Sequence, residues 1–324
     1  MQQALFALLA VIAAPLGTAL YIIAAEAAAS RLPGHWRSRA QPWLWLAPGL
    51  ALLLAFLVYP SAHTVVLSFF NADSTRPVGM DNYVFIATDQ TMLSALRNNV
   101  LWVVLFSGLT VALGLLTAVL TDRVPYERVA RGVIFLPMAI SFVAAGVIWR
   151  FMYDYRPPGV PQTGTVNAVL TAIVPGFEPQ AWLINPPLNN LALIVVGVWT
   201  WTGFCMVILS AALKGIPTEV LEAARVDGAS EVQIFRRIIV PMISPTIAVV
   251  VTTMVIFALK AFDVVYVMTN GNYDTEVIAN RMYKEMFNFR NFGRASAIAV
   301  LLLAAIIPVM MLNVNRFRAQ EERR

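Results

Sequence analysis

Apolar residues in this chain gather in long blocks separated by short polar connections. Seven blocks stand out: Ala4 to Ala29, Pro42 to Tyr59, Asn99 to Leu120, Gly132 to Phe151, Leu191 to Leu213, Ile243 to Tyr266 and Ala295 to Asn313. Crossing a bilayer takes about 20 mostly apolar residues, because lipid offers no partner for main-chain N–H and C=O groups and a helix satisfies its own. The pattern therefore predicts an all-α integral membrane fold of about seven transmembrane helices, with no soluble domain between them. Two connections are long. Met152 to Asn190 carries Pro157, Pro158, Pro161, Pro175, Pro179, Pro186 and Pro187, which exclude a long helix, and its apolar piece, Val166 to Val174, is too short to span. Met268 to Arg294 opens on Thr269-Asn270-Gly271-Asn272, a turn, and continues as a predicted amphipathic surface helix with Met282, Tyr283, Met286 and Phe287 on one side.

Composition agrees. Of 324 residues, 59% are hydrophobic and 13% charged, with a mean hydropathy of +0.71, an apolar share roughly ten points above a soluble domain. His35, His63 and the single Cys205 cannot assemble a metal cluster or a disulfide within the chain. No paired-carboxylate or Ser/His/Asp constellation is present, so a membrane-bound enzyme lacks its groups.

The net charge of +5 gains meaning from its location. Arg31, Arg37 and Arg39 follow the first block; Arg123, Arg128 and Arg131 lie between the third and fourth. Lys214, Arg225, Arg236 and Arg237 lie between the fifth and sixth, and Arg316, Arg318, Arg323 and Arg324 close the tail. These 14 share one face, against eight (Arg76, Arg97, Arg150, Arg156, Arg281, Lys284, Arg290 and Arg294) on the other. The short basic connections are thus expected inside, with the N-terminus outside and the C-terminus cytoplasmic. A cleaved signal peptide is the alternative for the first block. Met1-Gln2-Gln3 lacks a positive start, and cleavage would leave Arg31 to Arg39 on the wrong side.

The connection from Ile216 to Pro241 is unusually structured. Pro217 suits a helix start, Val220, Leu221, Ala224 and Val226 share a helical face, and Asp227-Gly228 supplies a left-handed stop. Ser230 and Gln233 have capping-box spacing, and Val232, Phe235 and Ile239 recur at helical intervals until Pro241. From pattern alone such a hairpin could equally lie on lipid headgroups. Its spacing is more particular: Glu222-Ala223-Ala224, three residues, Gly228, nine residues, Ile238, two residues, Pro241. This resembles the EAA signature of the membrane subunits of binding-protein-dependent ABC importers, with Val240 where the family usually has Leu.

Further stretches are similar to the maltose-type carbohydrate permeases. They are Met80-Asp81-Asn82-Tyr83, Ala95-Leu96-Arg97-Asn98-Asn99, Phe135-Leu136-Pro137 ahead of Ile148-Trp149-Arg150, and Phe262-Asp263 through Thr269-Asn270-Gly271. Gly271-Asn272-Tyr273-Asp274 departs from the family's Gly-Gly-Gly-Pro-like run. The resemblance covers about Pro42 to Arg318 and implies a six-helix type I ABC importer core. The extra N-terminal helix is similar to one carried by some α-glucoside permeases. It divides the chain into the extra helix (1–30), a basic cytoplasmic linker (31–41), the permease core (42–319, with the coupling hairpin at 214–241) and a tail (320–324).

What the resemblance implies is a permease subunit in the bacterial inner membrane, forming half of a sugar pathway, with an α-glucoside or similar oligosaccharide as the expected solute. Glu222, Ala223, Ala224, Asp227 and Gly228 would couple it to a separate ATPase. The implied partners are a second homologous permease, two ATPase subunits carrying ATP and Mg, and an external solute-binding protein; no cofactor is expected on this chain. Lys214, Lys260 and Lys284 follow Leu213, Leu259 and Tyr283, so there is no Gly-Lys pair and no Walker A loop.

Within the membrane, Lys260 and Asp263 are expected as neighbours on one face of the sixth helix. They form either a neutralised pair, with Lys260 reaching for the outer headgroups, or, with Phe262 and Tyr266, part of a sugar site. The same pair could serve an ion-coupled secondary transporter, the rival reading. Trp199, Trp201 and Thr202 lie mid-membrane, as packing or as solute contacts. Trp43, Trp45 and Trp149 suit interfacial anchors, Cys205 a buried inert thiol, and Glu26 an interfacial charge.

Overall fold

The computed structural model describes residues 2–31, 33–122 and 124–321, with side-chain surroundings for residues 16–311 except 32, 36 and 123. Arg123, Arg323, Arg324 and the side chains of Arg316 and Arg318 from the charge count lie outside the described residues, as does most of the tail at 320–324. Among the described residues the chain is helical and forms no strand, only a single bridge between Phe70 and Pro77. It divides into two compact units, Met1–Thr64 and Val65–Arg324.

The first unit pairs α1 (Gln2–Ser30) with α2 (Gly34–Leu53), which runs through a π-turn at Leu54–Val58 into α3 (Tyr59–Leu67). Within the stretch expected as a linker at 31–41, a helix begins at Gly34. Pro33, extended at φ −55° and ψ 147°, starts the next helix at Gly34. Pro42 and Pro48 sit inside that helix. Ala25 and Ala29 are buried, the Tyr21 hydroxyl donates to the Leu44 carbonyl, and Glu26 is paired to Arg37 at 2.9 Å. Glu26 is therefore a hairpin tie.

The second unit begins with α4 (Asp81–Thr88) and α5 (Gln90–Leu101), continued by a π-turn at Trp102–Phe106 and α6 (Ser107–Thr121). The Asp89 side chain caps α5 by accepting from the Met92 N–H at 2.9 Å, so this span starts nine residues before the apolar block. The predicted span from Gly132 to Phe151 is not one helix. α7 (Glu127–Phe135) ends in a 3₁₀ turn at Leu136–Ala139, and α8 (Phe142–Met152) leaves at 99°. Pro137 lies in the turn, Ile140 is extended, and Ser141 caps the new helix through the Ala144 N–H at 3.2 Å. Five other helices among the described residues are long and apolar enough to cross, and the bent pair makes a sixth. The part of α1 with described side chains, Leu16–Ser30, is a shorter apolar helix.

The proline-rich connection is a small folded element around α9 (Thr165–Ile173). Asn167, fully buried, donates to the Asp154 and Gln180 carbonyls and accepts from the Gln180 N–H and Trp182 Nε1. α10 (Leu188–Lys214) is the central span, packed on α6. Gly114 allows that packing, because a Cβ there would collide with the Cys205 side chain and lie 3.1 Å from its carbonyl carbon. Around this crossing sit Trp102, Phe106, Trp201, Cys205, Met206, Leu209 and Met254. Trp149 packs against this core, tilted on Tyr153 at 5.2 Å and edge-on to Trp199 at 5.6 Å.

α11 (Thr218–Val226) and α12 (Glu231–Ile234) form the hairpin, and α12 runs through a π-turn at Phe235–Ile239 into α13 (Val240–Leu259). Pro241 does not end the second hairpin helix. It lies two residues past the π-turn at Phe235–Ile239, inside a helix that continues from Glu231. α14 (Asp263–Met268), α15 (Ile278–Tyr283) with a π-turn at Lys284–Asn288, and α16 (Phe292–Glu321) complete the chain. The segment predicted as a surface helix is interior at its start, while Met282 and Tyr283 are half-buried and Met286 and Phe287 are exposed. Thr275, Glu276, Val277, Ile278, Asn280 and Glu285 are all buried, and Ile278 and Ala279 join Ile86, Met92, Ala95 and Ile298 in a second apolar cluster.

Charges tie the helix ends in groups. Lys214 meets Glu127 at 2.5 Å, and Arg131 meets Glu127 at 2.6 Å and Asp122 at 3.3 Å, joining two of the basic connections.

Gly114→Ala is expected to destabilise the folded protein by about 1–3 kcal/mol through overpacking. Gly108→Ala, on the same helix with nothing within 4 Å of an added Cβ, should be neutral or stabilising. Thermal midpoints of the two variants in detergent check this.

Candidate functional site

The structure brings the sequence-predicted residues to two places. The first is the hairpin. Gly228 has φ +79°, and a Cβ added to it would meet nothing within 4 Å, so its role is backbone freedom. α11 ends in a tight left-handed closure. The Asp227 N–H donates to the Ala223 carbonyl at 2.9 Å, Gly228 to Arg225 at 3.0 Å and Ala229 to Ala224 at 3.0 Å. α12 begins with a complete capping box, the Ser230 N–H donating to Gln233 Oε1 at 2.8 Å and the Gln233 N–H to Ser230 Oγ at 3.4 Å. Arg225 bonds Glu231 across the turn at 2.8 Å, which holds its guanidinium above its ordinary pKa.

The hairpin's apolar positions find little cover within the chain. α11 has no buried residue; Val226 is 87% exposed and Val232 66%. Glu222, Ala223 and Asp227 are exposed as well, and Ala224 is half-buried. A stiff, doubly capped element that leaves Val220, Val226 and Val232 uncovered while Ile234 is buried is suited to dock into something else.

The second place is a cavity of about 200 Å³ between α5–α6, α8, α10 and the region where α13 gives way to α14. Trp102, Phe106, Phe142, Trp201, Phe257 and Phe262 wall it with rings, and Lys260 and Asp263 supply its charge. Gly197 lets the rings approach α10: a side chain there would meet Phe106 at 3.1 Å and Trp102 at 3.2 Å. Trp201 packs on Phe257 at 4.0 Å and Phe142 at 5.8 Å between centroids, so it serves the core and the cavity at once.

Lys260 and Asp263 are not neighbours on one helical face. α13 stops at Leu259, Lys260 to Phe262 leave helical geometry, with Phe262 at φ −143° and ψ −62°, and Asp263 opens α14. The charged pair thus sits on an unwound corner. Phe262 and Asp263 line the cavity, whereas Tyr266 lies outside it, stacked on Phe262 at 5.2 Å. Trp199 and Thr202 line a different, apolar pocket with Leu109, Val133 and Pro137. Trp102, Phe106, Phe142 and Phe257 were missed. Their period matched lipid-facing and core aromatics equally, and only the π-turn at 102–106 and the neighbouring helices select their side.

Residues 110–319 match the family described as the binding-protein-dependent transport system inner membrane component. The chain belongs to this family. It is 58% identical over 281 residues to the osmoprotective compounds uptake permease protein GgtC of Synechocystis, covering 87% of this chain and all of that one. It is 47% identical to the alpha-glucoside transport system permease protein AglF of Rhizobium meliloti, covering 85% and 82%. Its fold is that of a chain in the crystal structure of a bacterial ABC transporter involved in alginate import, at a TM-score of 0.72 and 24% identity, covering 89% of this chain and 99% of the other. Membership removes the case for an ion-coupled secondary transporter, whose premise of a charged pair on one helical face also fails. The permease is an integral inner-membrane transport subunit, and the hairpin occupies the place of the EAA signature typical of its family.

Gly228→Ala should strain the permease at its positive φ by about 1–2 kcal/mol. The expected readout is faster hydrogen exchange at the Ala229 amide, with helices outside the hairpin unchanged.

Proposed function

We propose that the permease forms half of the translocation path for a small sugar, best an α-glucoside, and that a separate ATPase drives it through the Glu222 to Gly228 turn. The hairpin is the observation that carries this reading. It is short, capped at both helices, bridged by Arg225 and Glu231, and apolar on uncovered positions. Ala223 and Ala224 permit close backbone approach by a partner, and exposed Glu222 can meet a cation on it.

The solute class follows from the cavity and the relatives together. Aromatic rings pack against the C–H faces of sugars, and groups such as Asp263 accept from hydroxyls. The α-glucoside and osmoprotectant permeases are 47% and 58% identical to this chain over the aligned residues. The remaining parts of the machine are a second homologous permease, two ATPase subunits that bind ATP and Mg, and an external binding protein that delivers solute. The N-terminus faces outside and the tail the cytoplasm. The excess of basic residues on the hairpin side supports this orientation, as does the joining of Lys214 and Arg131 through Glu127.

Purified from native membranes, the permease should bring ATPase subunits with it. Gly228→Pro should lose them while still inserting. In proteoliposomes with the binding protein, ATP-dependent uptake of radiolabelled sucrose or trehalose should fall by about tenfold or more in Phe262→Ala and Asp263→Asn, the size expected from losing one or two solute contacts. A wild-type chain that purifies alone and moves solute down an ion gradient would overturn the reading.

A further inference from the structure

The break that shapes the cavity has an acceptor problem. Where α13 stops, the carbonyls of Ala258 and Leu259 lose the N–H groups that a continuing helix would present, those of Phe262 and Asp263; Ala258 regains a main-chain donor in the Ala261 N–H at 3.2 Å, whereas Leu259 regains none among the described residues. Deep in an apolar protein a carbonyl without a donor is costly. The Asn99 side chain, 2% exposed, fills that role. Its Nδ2 donates to the Ala258 carbonyl at 3.4 Å and the Leu259 carbonyl at 3.3 Å. Its Oδ1 accepts from the Ile278 N–H at 2.8 Å, where α15 begins. One amide from α5 therefore replaces the missing donor at Leu259, adds a second donor at Ala258, and fixes the start of the next helix as well.

The neighbouring residues reinforce the placement. Asn98 donates to the carbonyls of Asp274 at 2.8 Å and Glu276 at 2.9 Å, while Asn189 and Asn190 reach the carbonyls of Tyr273 and Asp274 from α10. Arg97 pairs with Asp274. Burial alone would raise that carboxyl's pKa, but hydrogen bonds from Arg97 and Ser94 bring it below the ordinary value, so the tie is ionic at neutral pH. Lys260, Ala261, Phe262, Asp263 and Val264, the unwound corner and its flank, all line the cavity.

We infer that Asn99 is a positioning residue for the solute path: by supplying donors to the Ala258 and Leu259 carbonyls it keeps α13 from continuing and so holds Phe262 and Asp263 at the cavity. Asn99 does not itself line the cavity and needs no contact with solute. This inference rests on the sugar-transport reading for its functional consequence, and its structural half stands apart.

Asn99→Asp is the discriminating variant. It keeps the acceptor for Ile278 and removes both donors. In the intact complex with its ATPase and binding protein, the KM for radiolabelled sucrose or trehalose should rise about fivefold, as expected for losing a pair of long hydrogen bonds. The maximal rate should stay within about twofold, because the residue acts on solute placement and not on coupling. Hydrogen exchange at the Phe262 and Asp263 amides should slow as they reclaim the freed carbonyls. Asn99→Ser, with one hydroxyl donor, should be intermediate in both and serves if the aspartate variant does not assemble. Unchanged KM overturns the inference, as does a fall in uptake and ATPase rate together with unaltered exchange at Phe262 and Asp263. Wild-type complex that takes up neither sugar overturns the sugar reading instead, and exchange then judges Asn99 by itself.

Discussion

A main-chain carbonyl inside a membrane protein has no water to fall back on, so wherever a spanning helix is interrupted some other group must donate to it. The permease interrupts its helices where the sequence-predicted chemistry lies. At the end of α13 the donor is Asn99. In the 269–278 connection the carbonyls of Tyr273, Asp274 and Glu276 are met by Asn189, Asn190 and Asn98. Around α9 a single Asn167 donates to two carbonyls and accepts from the Gln180 N–H and Trp182 Nε1. Asparagine suits the task because it carries two donors and an acceptor without charge, and each of these side chains is buried. With those amides in place the chain can leave helical geometry deep in the protein and present Lys260 to Asp263 to a cavity.

The same constraint explains what the sequence disclosed. Long apolar blocks are a local signal, and most became spans. The hairpin was readable in detail because Pro217, Gly228, Ser230 and Gln233 act on their own neighbours within a turn. The bend between α7 and α8 also had local signals, in Pro137 and the capping Ser141, although the apolar run masked them. The break at Lys260 had none. Residues 260–262 contain neither Gly nor Pro, and its support comes from a side chain 160 positions earlier. Which aromatics would meet was likewise a tertiary matter. Trp199 and Trp201, two residues apart on one helix, face different pockets, and only the partners of α10 decide which one sees Lys260.

Stretches that resembled the family as mere landmarks turn out to have physical duties. Asn82 donates to the Ser68 and Phe70 carbonyls, and Tyr83 bonds Ser68, so that motif fastens the chain entering the second unit. Arg97-Asn98-Asn99 and the turn at Thr269 to Gly271 belong to one clasp. Gly271, at φ +73°, leaves room for buried Glu276, which in turn holds Lys284 at 2.7 Å. The departure at Gly271-Asn272-Tyr273-Asp274 preserves this. Tyr273 and Asp274 take positive φ themselves, and the asparagines above hold their carbonyls.

One continuous helical path joins the two candidate sites. From Glu231, three residues after the hairpin turn, the chain stays helical through the π-turn at Phe235–Ile239 and along α13 to Leu259, a distance of about 40 Å at ~1.5 Å per residue. It ends at the corner that lines the cavity. A helix of this kind transmits rotation and translation along its axis far better than a jointed chain, so a displacement applied at Gly228 need not be relayed through loops to reach Phe262. What decides whether that displacement opens the cavity or merely drags it is the anchorage at the far end. Asn99 ties that end to α5 and α15 through bonds of 2.8 to 3.4 Å, two of them long. Bonds of that length fix a resting position yet can be exchanged at small cost, and exchange of this kind is what a helix end must do if it holds solute in one state and releases it in another.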